Sequence, residues 1–344
     1  MNTQLLVVSG IIVLVIVMVD VAWTTLTTQG SGPITRLITI AVDSASARAH
    51  GVFGCRAVLV TAGPIAIVAV GSVWVLSLWS GWLLIFSAFP YGVIEAQSGQ
   101  TADLADRIYF VGFTLSTLGM GDFKPGGEVT RLLTALAAFN GLVLVTLIIT
   151  YAVPVVQGAV ARRKLAFSIS LLGRNPQEIV WRAWQNNNAQ GFENALGQVS
   201  SDLIQCSEQR LAYPLLDLFH CRQSRFSLGV QLSRLDEALS LLTEGLQPSY
   251  RWNSLTVENT RKVISHYLYR SEQKSNNGDV DVPPLPAIGI LTINNVPLTD
   301  NQDDAFDPLK NRRVRLHKLV RREGWEWSVV GHQAPGVVES QRVR

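Results

Sequence analysis

The chain has 344 residues, 48% of them hydrophobic and only 16% charged, with a formal net charge of +3 and positive mean hydropathy. So apolar a composition excludes a wholly soluble protein. Three scattered cysteines, Cys55, Cys206 and Cys221, indicate neither a disulfide frame nor a zinc site. The long apolar runs fall within residues 1–160, and 161–344 reads as an ordinary polar segment. A membrane half followed by a soluble half is expected.

In chain order, the first span runs from Leu5 to Val19 and continues past Asp20 to Leu26. That is enough to cross about 30 Å of hydrocarbon. A signal peptide is the alternative. Against it, residues 1–4 carry no basic side chain and no convincing small-residue cleavage site follows, so a retained helix over 1–28 is expected. Asp20 lies near Trp23, which suggests an interfacial position, and the sequence assigns it no role. Residues 29–56 read as a linker with Arg36, Arg48 and Arg56. The second span, Ala57 to about Leu84, has Pro64 near its start and Trp74, Trp79 and Trp82 towards its end, as in an aromatic belt. The third, 132–156, is followed by Arg162, Arg163 and Lys164. Basic residues favour the cytoplasmic side, so both basic segments are expected there and the amino terminus outside. No span repeats arginine every third residue, so an intrinsic voltage sensor is not expected.

Between spans two and three lies Thr117-Leu118-Gly119-Met120-Gly121-Asp122, within 116–125. Glycines at 119 and 121 can adopt the left-handed backbone that Cβ-bearing residues avoid. Alternating handedness along such a loop turns successive carbonyls toward one axis. Thr117 can add a hydroxyl oxygen below them. One copy per chain cannot surround an ion, and no internal repeat supplies more, so several chains must assemble.

These residues resemble the selectivity filter of the potassium channels, whose usual form is Thr-Val-Gly-Tyr-Gly-Asp. The resemblance covers about fifty residues, 107–157. A short aromatic segment at 107–116 stands where the family places its pore helix. Pro125 follows Asp122 by three residues, and Gly141 falls where the family carries a hinge glycine. It implies a homotetramer in the cell (plasma or inner) membrane, with carbonyls of 117–121 replacing the hydration shell of potassium. Thr117, Leu118, Gly119, Met120 and Gly121 would be ion-binding. Ser116 and Asp122 would support the filter. Leu142 and Val145 would face the inner cavity, and Gly141 and Pro154 are candidate hinges. For both hinges the alternative is packing: glycine lets neighbouring helices approach. Four copies of Glu95, Asp103, Asp106, Asp122 and Glu128, against Arg107, Lys124 and Arg131, would give a mildly negative mouth or merely a soluble turret. Met120 departs from the family pattern: a flexible thioether is only a weak acceptor and cannot brace the loop as a tyrosine hydroxyl does.

After Lys164 the chain reads as mainly helical. Asn175-Pro176-Gln177-Glu178 is an N-cap, first-position proline and capping-box glutamate, opening a helix through Trp184. A polar break follows at 186–188. Residues 200–222 form another candidate helix, divided by Pro214. The clearest helix is 228–246, where Leu228, Leu232, Leu235, Leu239, Leu242 and Leu246 form a stripe. The stripe suits the inward face of a bundle helix better than a short coiled coil. Residues 271–307 read as a loop around one short strand, 288–293. A basic helix, 312–322, is closed by Gly324, and Trp325, Trp327 and Val329 alternate as a strand. The basic helix suits a solvated face or contact with anionic lipid.

The expected architecture is an all-α membrane protein. It has three transmembrane helices, a re-entrant pore helix with its filter loop, and a mainly helical cytoplasmic domain. The expected divisions are 1–28, 29–56, 57–160 (pore domain), 161–275 (helical domain) and 276–344 (linker and small basic segment). No Gly-x-Gly-x-x-Gly follows a strand, so a dinucleotide-type gating domain is not supported. No catalytic constellation, cofactor motif or nucleic-acid signal is present, and the regulatory ligand or partner of the soluble half is unreadable. The expected function is passive potassium conduction. The alternatives are a non-selective cation channel, a non-conducting scaffold with a vestigial pore, and a transporter subunit, which would need four such loops in one chain.

Overall fold

The computed structural model describes residues 3–28, 30–185, 189–272 and 280–331. The expected break at 186–188, the start of the segment 276–344 and its end beyond 331 lie outside the described residues. Nearly everything described is helical, in two compact units. The first comprises residues up to Phe53, Thr61–Gln157 and Leu211–Leu218. The second comprises Gly54–Val60, Gly158–Arg210 and residues from Phe219 onward.

Three helices are long and apolar enough to cross a membrane: α1 (Thr3–Leu26), α3 (Arg56–Ser87) and α5 (Glu128–Ser170). Continuous helix is what such sequences must form in lipid, where each N–H and C=O has to be satisfied within the segment. Pro64 and Pro154 lie inside α3 and α5 without ending them. α1 and α3 meet through glycines. A Cβ on Gly10 would stand 2.8 Å from the Gly81 carbonyl oxygen, and one on Gly81 2.7 Å from Leu14. Small residues permit this backbone approach, which supplies the dispersion contacts that hold helices together in lipid.

The stretch expected as a linker is instead α2 (Pro33–Phe53), a helix of 21 residues. Asp20 fixes where it starts. Its carboxylate is 1% exposed and accepts hydrogen bonds from Ile34 N (2.7 Å), Thr35 N (3.3 Å), the Thr35 hydroxyl (2.8 Å) and Trp74 Nε1 (2.9 Å). A carboxylate at a helix N-terminus satisfies orphan N–H groups and the positive dipole end together. Asp20 is therefore a buried cap joining α1, α2 and α3, a role that the sequence did not assign to it.

In the second unit, α5 continues into a core with α6 (Pro176–Gln185), α7 (Ala189–Ala212), α8 (Leu228–Ser240, extended by a π-helical turn Leu241–Gly245) and α9 (Leu255–Glu272). Asn175 caps α6 through its Oδ1, which accepts from Glu178 N at 2.9 Å; Glu178 reaches back to Arg174 N. Proline ends the next helix as expected: α7 stops at Ala212 and Pro214 opens a 3-10 turn. The leucine stripe of α8 lies wholly in the core, so the bundle reading holds. The polar residues of α8 are buried too. Asp236 and Glu237 meet Arg312 and Arg313 of α12 (Lys310–Arg322), with Arg313 Nε 2.7 Å from Glu237 Oε1 and Arg312 Nε 2.7 Å from Asp236 Oδ2. Burial pushes the Glu237 carboxyl up, and Arg313 pulls it back down. The basic helix is thus neither simply solvated nor lipid-facing at these two positions.

Two expected strands are helical or irregular. Residues 288–293 hold α10 (Gly289–Ile293). Trp325 and Trp327 lie in a turn before α13 (Ser328–Gly331), and α11 (Gln302–Phe306) interrupts the expected loop. β-propensity is realised only against a partner strand. Here Thr292 N and Asn294 N bond locally to the carbonyls of Ile288 and Ile290 instead.

Candidate ion pathway

The pathway segment begins with α4 (Leu104–Leu115), three residues earlier than the aromatic stretch suggested. Asp103 caps it through a reciprocal box. Its Oδ1 accepts from Asp106 N at 2.9 Å, and Asp106 Oδ2 accepts from Asp103 N at 3.1 Å. These two acids are occupied in holding the helix start. Phe110 packs edge-on against Phe86 and Phe113, and Gly112 lies so close to Trp79 that a Cβ would meet its ring at 2.6 Å.

Arg107 was expected among the exposed charges of the outer loop. It is 9% exposed and turned inward, donating to the carbonyls of Phe86 (2.7 Å), Phe89 (3.0 Å), Pro90 (2.7 Å) and Ala102 (3.1 Å). A planar fork with five donors suits the bare carbonyls at the end of a helix. Arg107 thereby locks the C-terminal end of α3 to the start of α4.

α4 ends at Ser116, whose hydroxyl donates to the Phe113 carbonyl at 3.1 Å. The next residues alternate in handedness: φ is +56° at Thr117, +61° at Gly119 and +84° at Gly121. Among the described residues, Thr117 and Asn295 are the two non-glycine positions with positive φ. A β-branched residue held there is strained by about 1–3 kcal/mol, a cost that persists only when the surroundings impose it. Residues 116–122 are exposed on the protomer. The C-terminal end of α4, with its partial negative charge, leads directly into them.

Beyond the loop, β2 (Phe123–Pro125) pairs antiparallel with β1 (Val93–Glu95), and Ala96 N donates to the Asp122 carbonyl at 2.7 Å. Asp122 Oδ1 accepts from Phe123 N at 3.0 Å. The loop is therefore held at both ends: Thr117 N and Leu118 N bond to carbonyls of α4, and the Asp122 carbonyl accepts from Ala96, the residue after β1.

Gly141 packs against the same place. A Cβ there would stand 2.1 Å from the Leu115 carbonyl oxygen, one residue before Ser116. Its glycine is demanded by contact between α5 and the end of α4. Leu142 and Val145 are exposed on the protomer, as are Leu132, Leu136, Phe139, Ile149 and Val153. Pro154 is not part of this cluster; it lies about 20 Å further along α5 at 1.5 Å per residue. Sequence reading missed the roles of Arg107 and Asp20. The usable signals were a basic residue one turn after a capping aspartate and an acid within an apolar span.

The pattern of a family described as ion channel matches residues 72–157, from the middle of α3 to about two thirds of the way along α5. Nearly the whole chain is similar to the uncharacterized membrane protein YdjJ of Bacillus subtilis (strain 168). The two are 31% identical over 326 residues, covering 94% of this chain and 95% of the relative. No solved structure matches. With three membrane-length helices and these two likenesses, the chain is a multi-pass membrane protein of the same family as YdjJ, carrying an ion-channel domain at residues 72–157.

Proposed function

We propose that four copies of the chain form a potassium channel of the cell membrane, with the amino terminus outside and the second unit cytoplasmic. The observation that carries this reading is the alternation of positive φ at Thr117, Gly119 and Gly121 in an exposed loop at the end of α4. In a fourfold ring, carbonyls of Thr117, Leu118, Gly119 and Met120 and the Thr117 hydroxyl replace the water around the ion. Adjacent sites let one ion displace the next. Gly119 and Gly121 supply the handedness; Ser116 and Asp122 hold the ends. The exposed apolar stripe of α5, including Leu142 and Val145, forms the subunit seam and cavity wall. Arg36, Arg48 and Arg56 on one side and Arg162, Arg163 and Lys164 on the other set the orientation. The pore domain is 57–160, and Gly141 and Pro154 are the candidate hinges of α5.

Potassium flux into liposomes holding the purified protein tests this. Wild type conducts; Gly119→Ala, forced into a backbone that a Cβ disfavours, does not. No flux from correctly folded wild type supports a scaffold with a vestigial pore. The second reading, a non-selective cation channel, rests on Met120, which is 58% exposed on the protomer and cannot brace the loop as a hydroxyl would.

A further inference from the structure

The second unit holds the first turn of α3 (Gly54–Val60) as well as the far end of α5 (from Gly158). Both meet one short turn. α12 ends in a Schellman arrangement, with Trp325 N donating to the Val320 carbonyl at 3.1 Å, Gly324 N to that of Arg321 at 2.9 Å, and φ of +73° at Gly324. The bare carbonyls at this helix end face Arg56 of α3. Its Nη2 donates to the Glu323 carbonyl (3.0 Å), Nη1 to that of Gly324 (2.7 Å) and Nε to that of Cys221 (2.8 Å), while its guanidinium lies 3.5 Å from the Trp325 ring centre. A Cβ on Gly324 would stand 2.7 Å from Leu59 Cδ1, so the turn sits tight on α3. On the other side, the Glu323 carboxylate pairs with Arg162 of α5 at 3.3 Å and accepts from the Ser227 hydroxyl. Three residues further on, Leu165, Ala166 and Ile169 of α5 are fully buried in the core of this unit.

We propose that the Glu323–Trp325 turn is a coupling clasp. It ties the base of the inner helix α5, through Arg162, to the base of the outer helix α3, through Arg56, so that movement of the second unit is passed to the gate. α12 is the lever: its other end is anchored by Arg312 and Arg313 to the buried acids of α8. In a fourfold pore the outer helices lie at the periphery and the inner helices nearest the axis. A clasp that draws the inner end of α5 toward α3 therefore holds it off the axis and favours the open pore. A ligand or partner that shifts α12 biases that equilibrium by its differential affinity for the two arrangements.

This inference rests on the channel reading, and two measurements separate their failures. In single-channel recordings, Arg56→Ala and Arg162→Ala each lower open probability by about tenfold or more, and the double variant falls little below the stronger single, because both act through one turn. Reversal potentials stay those of wild type, and Lys262→Ala, in an exposed pair on α9, changes nothing. In hydrogen exchange on the full-length protein in lipid nanodiscs, Arg56→Ala accelerates amides of 158–164, and Arg162→Ala accelerates amides of 56–60. Unchanged open probability in both singles, or exchange changes confined to the mutated helix, overturns the clasp. If wild type carries no current, the channel reading fails, and the cross-helix exchange result alone decides whether the clasp exists.

Discussion

The two units solve the same problem, a buried charge, in different ways. In the first, neither Asp20 nor Arg107 is given an opposite charge among the described residues: Asp20 accepts from N–H groups opening α2, the Thr35 hydroxyl and Trp74, and Arg107 donates to carbonyls closing α3. In the second, Asp236 and Glu237 are satisfied by opposite charges, Arg312 and Arg313. The apolar surface differs in parallel. α1 and α5 leave Val, Ile and Leu exposed along much of their length, whereas α8 is buried all round. Bare N–H and C=O groups at helix ends are a polar resource within the apolar unit, and a charge placed there fixes chain direction. In the helical bundle, Asp236 and Glu237 are buried with charged partners, and the pairs fix which helices meet.

The contrast can be broken most severely at Arg313. Arg313→Ala leaves the Glu237 carboxylate buried without its partner, at a cost of about 3–5 kcal/mol, enough to unfold the second unit. Replacing the pair together, with Arg313→Met and Glu237→Leu, should cost far less or nothing. Thermal unfolding in detergent, followed by circular dichroism, compares them. A single variant as stable as the double would remove the distinction between the units.

Arg107→Ala comes next, because four carbonyls lose one donor. About 2–3 kcal/mol is expected, read as loss of oligomer on native gels before loss of helix. Arg107→Lys should recover little, since an ammonium cannot span the same carbonyls. Gly141→Ala places a methyl group against the Leu115 carbonyl and is expected to cost about 1–3 kcal/mol. If it changes gating and leaves stability untouched, the packing account of Gly141 is wrong. The smallest effect concerns thiols. Cys206 is buried, and burial pushes it up to about 11, so it should resist maleimide at pH 8 while exposed Cys55 reacts.

Most of the membrane unit was legible in the sequence because lipid permits few structures. Long apolar runs become helices, and Gly119 and Gly121 mark a place where the backbone leaves them. What escaped was side-chain direction. Arg107 and Asp106 in an outer loop read as surface charge, because nothing in the sequence says that α3 ends with its carbonyls toward residue 107. Residues 29–56 read as a linker because the cap that starts α2 is Asp20, fourteen residues upstream of Ile34. In the second unit, the leucines of α8 announced one buried face, but a period of 3.6 cannot show that the opposite face is buried too. The strands expected at 288–293 and 325–329 failed because alternation signals a strand only where a partner exists to pair with it.

The most direct test of the central claim is the reversal potential of the reconstituted wild type under opposed potassium and sodium gradients. A value close to the potassium equilibrium potential is expected if main-chain oxygens at 117–120 select the ion. A reversal potential near zero, with sodium passing as readily as potassium, would contradict it.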